Sequence, residues 1–369
     1  MRVSSTDKTR RRRRLALFAA ALPLLPAGAA FADVTLPPIS IGAGMRADFT
    51  HTSAEGPSTP AANDFSLDSI RLYVSGSVMQ DIKFTFNTEY TGSPPNGQNT
   101  VEVMDAIARF EFSDKLNIWA GRFLPPSDRA NLYGPYYANN WKVYDDGVQD
   151  GYPSVAVGRD NGVAYWGQFG ILKVSAGAFD VPSTTAPSKD QSEVLSTARL
   201  QLDFWDPEAG YYLNGTYYGE KDILAVGVAG QTEADKHAYN ADFLMEKKLG
   251  AAGAFGVESE YTRYDKLGGY GGYDGDYADS KGWYGLADYI LPQKVGPGKV
   301  QLLGKYARAT FDDSSTPDDP TYAQRTKEVE INYIVKDFNA RFSLFFQDTG
   351  FDAGLPSNRQ VGIGVQLQM

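Results

Sequence analysis

The chain has 369 residues, no cysteine, and 48 aromatic residues, of which 23 are Tyr, 20 are Phe and 5 are Trp. Without cysteine it has no disulfide framework, no thiolate metal site and no thiol nucleophile. Its mean hydropathy of −0.36 excludes a bundle of membrane helices, because each such helix needs about 20 apolar residues. The 38 glycines, together with Tyr and Phe, favour strands and turns over packed helices.

Residues 1–32 have the pattern of a secretory signal peptide. Five consecutive arginines at 10–14 precede an apolar run at 15–26, and an Ala-Phe-Ala sequence ends at Ala32. A charged region, an apolar region and a small-x-small motif are the three parts of a cleavable signal. An N-terminal membrane helix is the alternative, but the run is short and contains two prolines. We therefore expect cleavage near Ala32 and a mature chain of residues 33–369.

Removal of the signal peptide makes the chain more acidic. The whole chain has a net charge of −10, whereas residues 33–369 hold 28 basic and 44 acidic residues, a net charge of −16. Such a surface repels polyanions, so we expect no nucleic-acid partner. No spacing of residues matches a defined metal or cofactor motif, and we expect neither.

Apolar and polar residues alternate along most of the mature chain. In residues 338–347, for example, Phe338, Phe342 and Leu344 alternate with polar side chains such as Arg341 and Ser343. This period of two indicates strands with one apolar and one polar face, which a soluble sandwich would also have. However, the segments are about 10 to 12 residues long and have aromatic residues near their ends, as in transmembrane barrels.

The segments predict an antiparallel transmembrane β-barrel of 16 strands. In chain order they are 40–52, 69–80, 81–91, 101–112, 115–123, 160–169, 171–181, 194–205, 222–230, 237–247, 253–264, 281–291, 299–311, 325–335, 338–348 and 359–369. Connections after even strands are mostly short and those after odd strands mostly long, which puts both termini in the periplasm. Residues 211–218 also look like a short strand. We interpret 206–221 as an irregular periplasmic connection, and 18 strands stay possible.

The stretch 71–141 carries a family resemblance. It contains RLYVSGSVMQDIKFTFNTEY and DAIARFEFSDKLNIWAGRFLPPSDRANLYGPYYANNW. These pieces resemble the phosphate-selective porin O/P family of outer-membrane porins. The resemblance implies a homotrimer of 16-stranded barrels, in contact with lipid and lipopolysaccharide in the outer membrane of a Gram-negative bacterium. It also implies passage of small ions and hydrophilic solutes, and a third loop that folds into the lumen.

The longest predicted connection, residues 124–159, is the candidate constriction loop, because a connection of this length inside a compact fold is usually functional. Charged residues of this loop and basic residues on the polar strand faces are the candidate pore-lining set: Arg46, Arg71, Lys83, Arg109, Asp128, Arg129, Lys142, Asp145, Asp146, Arg199 and Arg341. Two interpretations stay open. A basic wall facing an acidic loop would set ion preference, or each arginine pairs with an acid such as Asp48, Glu89, Asp105 or Glu111.

We therefore expect a porin for passive diffusion, without selectivity or with mild cation preference. Phosphate selectivity would require an excess of inward arginine and lysine, which the acidic mature chain does not suggest. A channel specific for phosphate, other anions or sugars, a non-conducting structural barrel and a soluble secreted sandwich are the alternatives. We expect no enzyme, because the only histidines, His51 and His237, lie in no catalytic motif.

Overall fold

The computed structural model describes residues 38–54, 61–91, 100–149, 158–180, 194–267, 279–312, 321–352 and 357–369. The predicted signal peptide and residues 150–157 of the predicted constriction loop lie outside this part of the chain.

Sixteen antiparallel strands, β1 to β16, close into one barrel in chain order, which confirms the predicted fold. They are Ile39–Ala54, Ala62–Met79, Ile82–Thr91, Thr100–Ser113, Leu116–Phe123, Asp160–Phe169, Leu172–Asp180, Val194–Asp203, Ile223–Glu233, Lys236–Lys248, Ala254–Asp265, Asp279–Val295, Gly298–Asp312, Tyr322–Lys336, Ala340–Phe351 and Asn358–Gln368. The barrel closes where β1 pairs with β16, from Gly44 opposite Gln368 to Ala54 opposite Asn358. Closure removes the unpaired sheet edges that would expose backbone groups.

The two faces of the barrel are inverted relative to a water-soluble fold. The outer face exposes large apolar side chains, among them Leu200, Val228, Leu302, Ile331, Leu344 and Ile363. The inner face buries polar side chains, among them Gln201, Gln301, Asn332, Ser343 and Gln366. This arrangement follows directly from the period of two in the sequence, since successive side chains of a strand point to opposite faces. It suits a barrel with lipid outside and polar groups inside.

The connections between strands follow the predicted alternation with one large exception. Most connections after even strands are short, such as the two residues between β2 and β3, but residues 204–222 separate β8 from β9. No strand forms at residues 211–218, and the closed barrel has 16 strands, not the alternative 18. The single α-helix in the described chain, α1, is Arg129–Tyr133, and two 3-10 turns are Gly250–Ala252 and Asp337–Asn339. None of the described helices has the length and apolar character needed to cross a membrane.

Candidate permeation site in the barrel lumen

Residues 124–149, which are most of the described part of the predicted constriction loop, contain one turn of helix, α1. The Asp128 carboxylate accepts a hydrogen bond from the Asn131 backbone N–H at 2.8 Å and so caps α1. Gly134, with φ of 65°, ends the helix in the left-handed region that glycine adopts most easily. All five helical residues are buried, and burial raises the pKa of Asp128 to about 6.

The loop covers a wall of carboxylates on β11, β12 and β14. Side chains and backbone N–H groups of the loop donate hydrogen bonds to five carboxylates of this wall. The pairs are Tyr133 Oη to Glu258 at 2.9 Å, Gln149 Nε2 to Glu260 at 2.9 Å, Asn139 Nδ2 to Asp288 at 2.8 Å, Asn140 Nδ2 to Glu328 at 3.0 Å, and Trp141 N to Glu330 at 2.5 Å. Buried carboxylates need such donors, because an unpaired buried charge is strongly unfavourable.

Two glycines of the barrel wall make room for aromatic side chains of the loop. A Cβ atom at Gly44 on β1 would lie 2.8 Å from the Tyr136 ring. A Cβ atom at Gly364 on β16 would lie 2.4 Å from the Trp141 ring. The absence of a side chain at these positions therefore permits close packing of the loop against the wall.

Two buried arginines of the wall bind the backbone of the same loop. Arg46 donates to the carbonyl oxygens of Pro135 at 2.7 Å and Trp141 at 2.8 Å, and its guanidinium lies 4.1 Å from the centre of the Trp141 ring. Arg341 donates to the carbonyl oxygens of Ala138 at 2.8 Å and Asn139 at 3.0 Å. These contacts make both arginines anchors of the loop.

The β8–β9 segment, residues 204–222, also contacts the loop. The backbone N–H of Leu213 donates to Leu132 O at 3.3 Å, and the backbone N–H of Gly215 donates to Tyr137 O at 2.9 Å. The Tyr211 hydroxyl donates to Leu124 O at 2.7 Å. Tyr211, Leu213 and Thr216 of this segment are buried. Two non-strand segments therefore pack against each other, one following β5 and the other following β8.

Arg129 joins these two segments through a buried ion pair. Its guanidinium nitrogens lie 2.5 and 2.9 Å from the Glu208 carboxylate oxygens, and its Nε lies 3.4 Å from Asp242 of β10. Arg199 of β8 also pairs with Asp242, at 2.5 Å. Burial opposes ionisation of Glu208, but the Arg129 charge outweighs it and holds the Glu208 pKa below its usual value.

A cavity of about 620 Å³ lies beside these segments, against the wall formed by β2 to β5. Three guanidinium groups line it, and each is paired with a carboxylate. Arg71 pairs with Glu89, Arg109 with Glu111 at 2.7 Å, and Arg159 with Asp105 at 3.1 Å. The rest of the lining is rich in aromatic residues, namely Tyr73, Trp119, Tyr133, Tyr137, Trp166, Tyr211 and Tyr212.

The predicted pore-lining residues fall into three groups. Arg71 and Arg109 line the cavity, and Lys83 contacts its edge through Glu111 at 2.8 Å. The second group holds the loop in place: Arg46, Asp128, Arg129, Arg199 and Arg341, with Lys142 paired to Asp48 at 3.1 Å and Asp146 paired to Lys305 at 2.6 Å. Asp145 is exposed.

The sequence-based list omitted several residues that the structure brings to this site. Arg159, Trp119 and Tyr212 line the cavity, and Glu208 binds Arg129. The carboxylate wall was omitted as well, although Glu258 with Glu260, and Glu328 with Glu330, keep the period of two on the polar face. That spacing alone predicts that both glutamates of each pair face the lumen. The inward position of Glu208 had no such signal.

The two histidines lie apart from the cavity and from each other. His51 of β1 is within 2.7 Å of Asn63, and His237 of β10 is within 3.0 Å of Thr232. Strands β1 and β10 are not neighbours in the barrel.

Comparisons with known proteins agree with this architecture. The family model described as phosphate-selective porin O and P matches residues 39–201, and no curated relative matches the chain. Similar solved structures include OprB of Pseudomonas putida at high pH, with 11% identity, a TM-score of 0.61 and coverage of 90% of this chain and 94% of that one. An anion-selective porin from Comamonas acidovorans has 14% identity, a TM-score of 0.54 and coverage of 90% and 100%. The trimer form of OmpT from Vibrio cholerae has 12% identity, a TM-score of 0.52 and coverage of 90% and 99%.

These structural similarities are those of the barrel fold, and the family match adds the function. The chain is an outer-membrane β-barrel of the porin class. Residues 39–201 match the model of the phosphate-selective porins O and P, which supports the resemblance seen in residues 71–141. The same match favours a channel over an enzyme.

Proposed function

We propose that solutes and ions cross this porin by passive diffusion along the cavity of about 620 Å³ beside β2 to β5. The supporting observation is the distribution of contacts in the lumen. The wall formed by β11, β12 and β14 is covered by the constriction loop, whereas Arg71, Arg109 and Arg159 on the opposite side line the cavity. Of the predicted pore-lining residues, Arg71, Lys83 and Arg109 therefore contact permeating solutes, and the others, except the exposed Asp145, hold the constriction in place.

The path has little preference for the sign of an ion. Each cavity arginine has a carboxylate partner, so neither charge is in large excess along the wall. The reversal potential of the reconstituted porin across a tenfold potassium chloride gradient tests this. We expect a small potential, near zero or on the cation-selective side, and a strong anion preference would contradict the proposal. Arg109→Gln should move the reversal potential further toward cations, because it leaves Glu111 with less positive charge nearby.

The oligomeric state, the location and the removal of the signal peptide are further parts of the proposal. We infer a homotrimer in the outer membrane of a Gram-negative bacterium, in contact with lipid and lipopolysaccharide, after removal of residues 1–32. The trimer form of one structural neighbour supports the oligomeric state. N-terminal sequencing of the membrane protein should begin at Asp33, and native mass spectrometry should give three chains. A different N-terminal residue would contradict the proposed cleavage site, and a monomer in lipid would contradict the proposed homotrimer.

We also propose that the protein acts by transport without catalysis. His51 and His237 each have an ordinary polar neighbour and lie away from the cavity. Single-channel conductance of the His51→Ala and His237→Ala variants should equal that of the parent protein.

A further inference from the structure

We propose that the cavity beside β2 to β5 is a binding site for a neutral, polyhydroxylated solute of sugar size. This inference rests on the proposed path through the same cavity and names the class of solute that the path would hold. The volume of about 620 Å³ lies in the range of small-molecule sites, about 300 to 1,000 Å³.

Charge pairing in the wall favours a neutral ligand over an ion. Asp105 receives hydrogen bonds from Arg159 at 3.1 Å and from Asn87 at 2.7 Å. Glu111 receives them from Arg109 at 2.8 Å and Trp119 Nε1 at 3.0 Å. An anion at any of these arginines would have to displace a carboxylate or lie beside it, and a cation would meet the reverse problem. A hydroxyl group can donate to the carboxylate and accept from the guanidinium without disrupting either pair.

Aromatic rings supply apolar surface next to these polar groups. Tyr137 of the constriction loop is 36% exposed, and Tyr212 of the β8–β9 segment is half-buried with its hydroxyl 3.5 Å from Asp105. Behind them Trp119 is buried between the Arg109 guanidinium, 5.0 Å from its ring centre, and Tyr211, at 4.7 Å between ring centres. Sugar rings present C–H groups on their faces and hydroxyl groups at their edges, so flat apolar rings beside paired polar groups match both.

Two buried donors in the described lining have no hydrogen-bond partner in the protein. They are the Tyr73 hydroxyl and Trp166 Nε1, and both residues line the cavity. Buried polar groups are nearly always hydrogen-bonded, so unpaired donors at a cavity indicate polar contents.

The test is binding and current block by a sugar. Maltose is titrated into the porin in a planar bilayer and, independently, into the detergent-solubilised protein in a calorimeter. Phosphate and benzoate serve as anionic comparisons in both measurements. We expect maltose to bind and to reduce the single-channel current in a saturable way, with binding tighter than that of either anion.

Substitutions of Tyr137 assign the site. Tyr137→Leu keeps apolar bulk but removes the flat ring, and we expect maltose affinity to fall about three- to tenfold. Tyr137→Phe keeps the ring and should retain the parent affinity, which separates stacking from a general loosening of the loop. The matched control is Tyr261→Leu, because Tyr261 points outward from β11 with 46% of its surface exposed. The affinity of this variant for maltose should equal that of the parent protein.

The outcomes separate this inference from the proposed path. A conducting channel that binds no sugar, or that binds phosphate or benzoate more tightly, overturns the inference and leaves the path intact. Calorimetric binding of maltose that Tyr137→Leu does not weaken also overturns it. Sugar binding to a protein that conducts no ions would instead contradict the proposed path and support the site.

Discussion

The buried ion pair between Arg129 and Glu208 gives the sharpest test of the proposed constriction of the lumen. It links the constriction loop to the β8–β9 segment, and the side chains of both residues are almost fully buried. Arg129→Met removes the guanidinium charge, so Glu208 and Asp242 each lose one positively charged partner. Asp242 retains Arg199 at 2.5 Å, so most of the loss falls on Glu208.

The expected effect follows from the energetics of buried ion pairs. Breaking such a pair by removal of one partner costs about 3 to 5 kcal/mol, because the remaining charge stays buried without its ionic partner. Within the described chain, Glu208 would keep only the hydrogen bonds from Gln201 and Tyr217 among those of side chains. If the two segments separate while the barrel stays closed, this corresponds to an increase in the open population of roughly two to four orders of magnitude. We expect Arg129→Met to give larger and noisier single-channel currents, and a lower free energy of unfolding in guanidinium chloride.

A double-mutant cycle tests the reasoning directly. Arg129→Met/Glu208→Leu removes both charges, so its loss of stability should be clearly smaller than the sum of the two single losses. The control is Arg263→Met, because Arg263 pairs with Asp279 only at 3.9 Å and at an exposed site, where a pair contributes at most about 1 kcal/mol. Additive losses in the cycle, or an Arg129→Met channel with parent conductance and stability, would refute the ion pair as the link.

Three further predictions address the same constriction. Gly364→Leu should displace the Trp141 ring, which lies 2.4 Å from the position of a Cβ atom, and should raise single-channel conductance, whereas Gly285→Leu, with open space around it, should not. The stability that Arg129 gives to Glu208 is fully present above the ordinary glutamate pKa of about 4.3 and is lost as pH falls through the lower pKa of folded Glu208. Unfolding measured from pH 7 to pH 3 should show this loss in the parent and not in Glu208→Leu. Finally, Arg46→Met should increase current noise, because Arg46 holds two loop carbonyls, and an unchanged noise spectrum would contradict that anchoring role.

The fold was predictable because one local rule repeats around the whole barrel. Alternation places Ile331 outside and Asn332 inside, and the same rule applied along the chain predicts all sixteen strands. Lumen-facing arginines such as Arg46 and Arg71 were predictable for the same reason. The carboxylate partners of these arginines were predictable only in part. The pairing of Arg71 with Glu89 follows from the neighbouring strands β2 and β3, since these two residues lie directly opposite each other in register.

The β8–β9 segment was not predictable by that rule. It has no repeating period, and its position depends on contacts with residues far away in sequence, such as the bond of the Gly215 N–H to Tyr137 O. A sequence pattern reports which face of a strand a residue occupies, but it does not report where an irregular connection folds. The sequence predicts a connection between strands here, which the structure confirms, but it does not predict that the connection packs against residues 124–149.

The position of the carboxylates also changes what the acidic composition means for transport. Residues 33–369 have a net charge of −16, which suggests cation preference when the lumen is treated as uniform. The wall carboxylates Glu258, Asp288 and Glu330, however, accept hydrogen bonds from the constriction loop and therefore stabilise that loop. On the proposed path, ions would instead meet Asp105 and Glu111, each already paired with an arginine. Since selectivity depends on the charges that line the path, the relevant balance is the nearly even one at the cavity wall.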